Sequence, residues 1–126
     1  MLGSRKVINM FQIIFNPTSA AELAKLPKEK QLLLMGRFDD VPKDLATDNT
    51  AKYGRFAREG RHLYRLREGD YRIYFERAAD GIVVHRILNK NTLKDFLFRS
   101  KLDAGEETEL EKRPEFWKMI GEAGKK

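Results

Sequence analysis

Residues 11–15 (FQIIF) form a run of apolar, β-prone side chains, which predicts a strand covered on both faces. Asn16, Pro17, Thr18 and Ser19 end it, and a hydroxyl of Thr18 or Ser19 is placed to cap a helix over Ala20 to Leu26. Pro27 interrupts that helix. A second one, roughly Lys28 to Phe38, groups Leu32, Leu33, Met35 and Gly36 as an apolar face with a small contact point, so an αα-hairpin on a sheet is expected. The stretch 39–50 (DDVPKDLATDNT) is polar and Pro-punctuated and reads as a surface loop.

From His62 the period changes to two. Tyr64 and Leu66 alternate with Arg65 and Arg67, and after Glu68, Gly69 and Asp70, the residues Tyr71, Ile73 and Phe75 alternate with Arg72, Tyr74 and Glu76. A turn at Ala78 to Gly81 leads into Ile82 to Leu88, apolar apart from His85 and Arg86, and the three strands make a meander. Its register puts Arg65, Arg67 and Arg72 on one face while the aromatics bury the other. Asn89 to Asn91 form a polar connection, Thr92 can cap a helix carrying Leu93, Phe96 and Leu97 on one side, and Pro114 opens a last short helix with Phe116, Trp117 and Ile120. Phe96 to Phe98 read as core side chains before a base-stacking platform.

The chain has 126 residues and is expected to hold one domain with an ordinary core, since 41% of it is hydrophobic. Residues 1–10 read as an N-terminal extension outside the fold, 11–101 as the folded domain, and 102–126 as an acidic linker with a short helix. There is no Cys, which removes disulfides and thiolate chemistry and fits a reducing compartment, so a cytoplasmic location is expected. No run of about eighteen apolar residues predicts a membrane span. Two separate histidines and no spaced carboxylate cluster supply no ligand set for zinc or a two-metal centre, and no phosphate-binding loop occurs, so neither metal nor cofactor is expected.

Net charge is +6 and unevenly placed. Lys52, Arg55, Arg58, Arg61, Arg65, Arg67 and Arg72 face only Glu59, Glu68 and Asp70 in that stretch, whereas 103–111 holds five acids and no base. A clustered arginine face points to a phosphate-bearing partner, because guanidinium stays charged and donates a planar fork of hydrogen bonds. The competing reading is a solvated face partly paired with those three acids.

The segment YRLREGDYRIYFERAADGIVVHRIL (64–88), with the preceding strand, helices and loop, resembles the RelE/ParE superfamily of bacterial toxins over roughly residues 11–101. In that family a strand ending in Arg or Lys and a short turn precede a strand of the form Tyr or His, Arg, hydrophobic, any residue, Tyr. Here that strand reads Tyr71, Arg72, Ile73, Tyr74, Phe75. The resemblance implies an α+β fold, with an N-terminal strand and αα-hairpin packed on an antiparallel sheet of three to four strands and C-terminal helices beyond. It also implies a toxin of a type II toxin–antitoxin system, bound by a cognate antitoxin and cutting messenger RNA on the ribosome. ParE members share the fold and poison DNA gyrase.

Carried over residue by residue, Arg72 matches the arginine at the scissile phosphate, and Arg65 and Arg67 match the basic positions of the preceding strand. After the last strand, where RelE-like enzymes present further arginines and a tyrosine or histidine, this chain reads LNKNTLKDFLF. Cleavage by the ribose 2′-OH needs charge stabilised on the phosphorane and two protons moved. The expected catalytic set is Arg72, with His85 or Lys90 as proton carrier. The expected RNA contacts are Arg61, Arg65, Arg67, Lys94 and Tyr74, whose ring would stack on a base. His85 inside an apolar strand, His62 at the start of the arginine strand, and Lys90 and Lys94 each have a structural or solvated reading too. A non-enzymatic gyrase-binding toxin and a plain RNA-binding module remain open alternatives.

Overall fold

A computed structural model of the chain describes residues 11–47, 53–92 and 110–121. Its elements are β1 (Gln12–Phe15), α1 (Pro17–Ala24), α2 (Lys28–Arg37), a 3-10 turn (Phe38–Asp40) and α3 (Val41–Ala46). After these come β2 (Gly54–Arg58), β3 (Arg61–Glu68), β4 (Tyr71–Ala78), β5 (Gly81–Asn89) and α4 (Pro114–Ile120). The class is α+β, as expected. The sheet has five strands in the order β1-β5-β4-β3-β2; it is antiparallel through β2 to β5, with β1 added parallel to β5.

The meander is where the alternation placed it. Leu66, Ile73, Phe75, Ile82, Val84 and Ile87 project to one face and pack with Leu34, Phe38, Val41 and Leu45 of the helical segment. The other face carries a second core of Phe56, Leu63, Tyr74 and Leu88 under Leu110, Phe116, Trp117 and Ile120. The C-terminal helix therefore docks as core, as its apolar side required.

Several local expectations are corrected. The first helix starts at Pro17, not Ala20, and its cap is Asn16, whose Oδ1 accepts from the Ser19 N–H at 2.8 Å. Ser19 is buried, and its hydroxyl donates to the Val84 carbonyl at 2.7 Å, fastening α1 to β5. The first strand is an edge strand: Ile14 is exposed, and only Ile13 and Phe15 turn toward the core. The buried side of α2 is Leu34, running on to Phe38, while Leu32, Leu33 and Met35 are exposed and Gly36 makes no close contact.

The first part of the supposed loop at 39–50 is the 3-10 turn and α3. Pro42 fits a first helical turn, and Val41 and Leu45 bury together at i, i+4 spacing. Asp44 is buried there too and accepts from the Tyr53 hydroxyl at 2.5 Å; burial, then that hydrogen bond and the Asp44 charge, push the phenol above its ordinary 10. The strand β2 was hidden because Arg55 and Arg58 break its apolar pattern; Phe56 alone marks the buried side. The expected helix around Leu93, Phe96 and Leu97, the acidic run at 103–109 and Lys94 lie outside the described residues.

Two turns fix the sheet's geometry. Glu59 and Gly60, with φ 51° and 86°, supply the two left-handed residues that a tight β2–β3 hairpin needs. Gly81 lets β1 approach β5, since a Cβ there would come within 1.8 Å of the Gln12 carbonyl oxygen.

Candidate nucleic-acid interface

The cross-strand register decides which basic side chains meet. Arg67 stands directly opposite Arg72, and Arg65 opposite Tyr74, all on the face that carries α4. Phe116 of α4 lies 5.4 Å from Phe56 and 5.8 Å from Tyr74, ring centre to ring centre, so α4 covers the sheet at Tyr74 and Phe56. The Arg67–Arg72 pair lies beyond it, beside the β3–β4 turn. Like charges directly opposite on a strand pair are disfavoured, and an oxyanion between them removes the cost.

Arg67 is exposed and Arg72 half-buried. Two hydrogen bonds of 3.1 Å from the Arg72 Nη1, to the Gly69 and Tyr71 carbonyls, hold its guanidinium against the turn. Lys90 reaches the same end of the sheet: its N–H donates to the Asp70 carbonyl at 2.6 Å, and its Nζ lies 3.4 Å from the Asp70 carboxylate. The other two acids of the basic stretch are turned elsewhere. Glu68 pairs with Arg37 of α2 at 3.5 Å, and Glu59 with Arg58 at 3.8 Å. Arg65 folds over β2 at Gly54, where a Cβ would come within 2.6 Å of its guanidinium carbon.

Three of the expected site residues lie apart from this cluster. Tyr74, expected as an RNA contact, is fully buried between Phe56 and Phe116 beneath α4. Arg61 is held by Glu76, which accepts from its Nη2 at 2.6 Å and its Nε at 3.2 Å, and by the Gly121 carbonyl at 2.9 Å. Its guanidinium also lies 5.0 Å from the Trp117 ring centre, so Arg61, expected as a phosphate contact, ties α4 to the sheet.

His85 is buried at 2% exposure in the bulge of β5, where Tyr74 pairs with Arg86 and Phe75 with Val84. Its Nε2 lies 2.8 Å from Glu76 Oε1 and its Nδ1 3.3 Å from Asn16 Nδ2. The ring is thus held between the Glu76 carboxylate and the Asn16 amide. His85, expected as a proton carrier, thus makes its contacts inside the fold, with Glu76 and Asn16.

Glu76 is the feature that sequence reasoning missed. Burial would raise its carboxyl, but the hydrogen bonds from His85 and Arg61 and their charges outweigh it and hold the group down at about 2. Its signal was an acid inside an arginine-rich strand pair, at an inward position of β4. Glu22 was missed as well. Its carboxylate accepts from the Ile87 N–H at 2.7 Å and from the Arg86 Nη2 at 2.6 Å, covering the part of β5 that β1 is too short to reach.

No family model matches the chain. No curated protein matches it either. Among solved structures it is similar to a chain in the crystal structure of the RelB–RelE antitoxin–toxin complex from Methanococcus jannaschii. That similarity is 24% identity over 66% of this chain and 96% of that chain, with a TM-score of 0.42. An overlap of that size transfers no residue role, so the roles here come from this chain's own geometry. Among the described residues no group of three His, Asp or Glu side chains could hold a metal ion, and no helix is long and apolar enough to cross a membrane.

Proposed function

We propose that the chain is the toxin of a type II toxin–antitoxin pair, with a cognate antitoxin as its resting partner, and that its Arg67–Arg72 face binds messenger RNA presented by the ribosome. The observation that carries the RNA contact is the direct opposition of two arginines beside a tight turn, on the sheet face left beyond α4. In a RelE-like cleavage without metal, the ribose 2′-OH loses its proton to solvent water as it attacks the adjacent phosphorus, the bond to the 5′ oxygen breaks, and a 2′,3′-cyclic phosphate and a 5′-hydroxyl result. Arg72, steadied by the Gly69 and Tyr71 carbonyls, and Arg67 stabilise the charge on the phosphorane. Lys90, at the same end of the sheet, is the donor for the leaving oxygen. Arg65 and Lys94 complete the RNA contacts of this reading.

A ParE-like toxin that binds gyrase without catalysis is the second reading, favoured by the burial of His85 against Glu76. The other histidine, His62, starts β3 at the end opposite to Arg72, so no imidazole serves the arginine pair. Purified protein incubated with messenger RNA, with and without translating ribosomes, separates the readings. Fragments ending in a 2′,3′-cyclic phosphate are expected. Intact RNA together with inhibited gyrase supercoiling favours the second reading, and RNA binding with neither effect leaves a plain binding module.

A further inference from the structure

The sheet ends in β1 on one side and β2 on the other, and the two edges are finished differently. On β2 the Ala57 N–H is taken by Glu111 Oε1 at 2.8 Å, and Arg55 and Arg58 put charge on the strand. Both devices keep an edge from pairing with another chain. β1 has neither. Its residues Gln12–Phe15 include no charge and no Pro, and its register against β5 runs without a bulge. Among the described residues no group bonds the outer N–H of Ile13 or Phe15.

The ladder fixes which groups face outward. Gln12 and Asn16 donate their N–H to the Asp80 and Val84 carbonyls at 2.8 and 3.3 Å. Inward and outward residues alternate along a parallel ladder, so Ile14 bonds toward β5 as they do, and the N–H and C=O of Ile13 and Phe15 point away from it. Side chains alternate as well. Ile13 and Phe15 pack on the core beneath the helical segment, whereas Ile14, on the opposite face, is 40% exposed.

Such a strand is complementary to itself. Two copies laid antiparallel about a two-fold axis at Ile14 set Ile13 of each opposite Phe15 of the other, and the opposed residues exchange both N–H and C=O. Ile14 then stands opposite Ile14 in a close pair, about 4.5 Å between Cα atoms, and each exposed side chain covers the other. The net charge of +6 makes copies of the chain repel, and this uncharged strand lets them meet without opposing like charges along it. We propose that β1 is a self-association edge, where a second copy of this chain adds its β1 antiparallel and joins the two five-stranded sheets into one. The inference stands apart from the RNA reading, because Arg67 and Arg72 lie on β3 and β4.

The test is analytical ultracentrifugation of the purified full chain over a concentration series, combined with hydrogen exchange at the Ile13 and Phe15 amides. The weight-average mass is expected to rise from one chain toward two, with slowed exchange at both amides in the dimer. Ile14→Lys places like charges at the axis and is expected to stay monomeric with an unchanged Tm. The chain has no cysteine, so an introduced one reports on position. Opposed Cα atoms about 4.5 Å apart lie within disulfide reach, roughly 4.4–6.8 Å. Oxidised glutathione is therefore expected to link Ile14→Cys into a dimer and to leave Gln12→Cys unlinked. A wild-type protein that is monomeric at every concentration overturns the proposal; if its Ile13 and Phe15 amides are protected all the same, another part of the same chain covers the edge. A dimer that survives Ile14→Lys, or that links through Gln12→Cys as readily as through Ile14→Cys, overturns it in favour of a different face.

Discussion

Arg61 and Arg72 belong to one antiparallel strand pair, project to the same face of the sheet, and have opposite surroundings. Across from Arg61 and beside it stand Glu76, His85, Trp117 and the Gly121 carbonyl, which use its hydrogen bonds and turn it into a fastener for α4. Across from Arg72 stands another arginine, and the nearby acid, Asp70, goes to Lys90. The difference lies in one buried carboxylate. Where the basic face encloses Glu76 it becomes part of the core. The same sheet thus uses an arginine for assembly at one end, and we propose that it uses the Arg67–Arg72 pair for binding at the other.

The largest expected effects break the assembled end. Glu76→Ala strands Arg61 and His85 together in a buried setting and is expected to cost about 3–5 kcal/mol in denaturant unfolding. Phe116→Ala removes a fully buried ring that packs on Phe56 and Tyr74, and about 3–5 kcal/mol is expected there too, with weaker protection of the α4 amides. Acid sharpens the comparison without mutation. A carboxyl held at about 2 when its ordinary value is 4.5 contributes stability that is complete above 4.5 and disappears as pH falls from there toward 2. The loss is worth about 3 kcal/mol, and an acid titration of stability in wild type and Glu76→Gln is expected to show it in the wild type alone.

Sequence alternation made the meander, its two faces and the arginine row legible, because period-two patterning is a direct image of a strand half-buried on each side. The docked α4 was legible for the same kind of reason, from Phe116, Trp117 and Ile120. What the pattern could not carry was the partner of each polar residue. Arg61 and Arg67 look alike along β3, and only the register, which sets Glu76 near one and Arg72 across from the other, tells them apart. Tyr74 shares the arginine phase, and its burial depends on a helix forty residues later in the chain that closes over it. His85 depends on a bulge, and β2 on pairing with β3 in place of an apolar pattern of its own.

The smallest expected effects concern the presented end. Arg72→Ala is expected to change stability by no more than about 0.5 kcal/mol, since the hydrogen bonds of its Nη1 go to the Gly69 and Tyr71 carbonyls at the turn. Arg67→Ala and Arg72→Ala together are expected to flatten the salt dependence of single-stranded RNA binding by about 1.4 in log–log slope.

Arg61 and Arg72 differ in role at the two ends of the arginine row, and a paired measurement on Arg61→Ala and Arg72→Ala separates them. Both variants are taken through denaturant unfolding and RNA titration under one salt condition. The account predicts that Arg61→Ala loses about 2–3 kcal/mol of stability, the range for charged hydrogen bonds removed from a buried acceptor, with RNA affinity kept by the fraction that remains folded. Arg72→Ala is predicted to keep its stability and lose RNA affinity and growth inhibition. A destabilised Arg72→Ala, or RNA binding unchanged by it, contradicts the account.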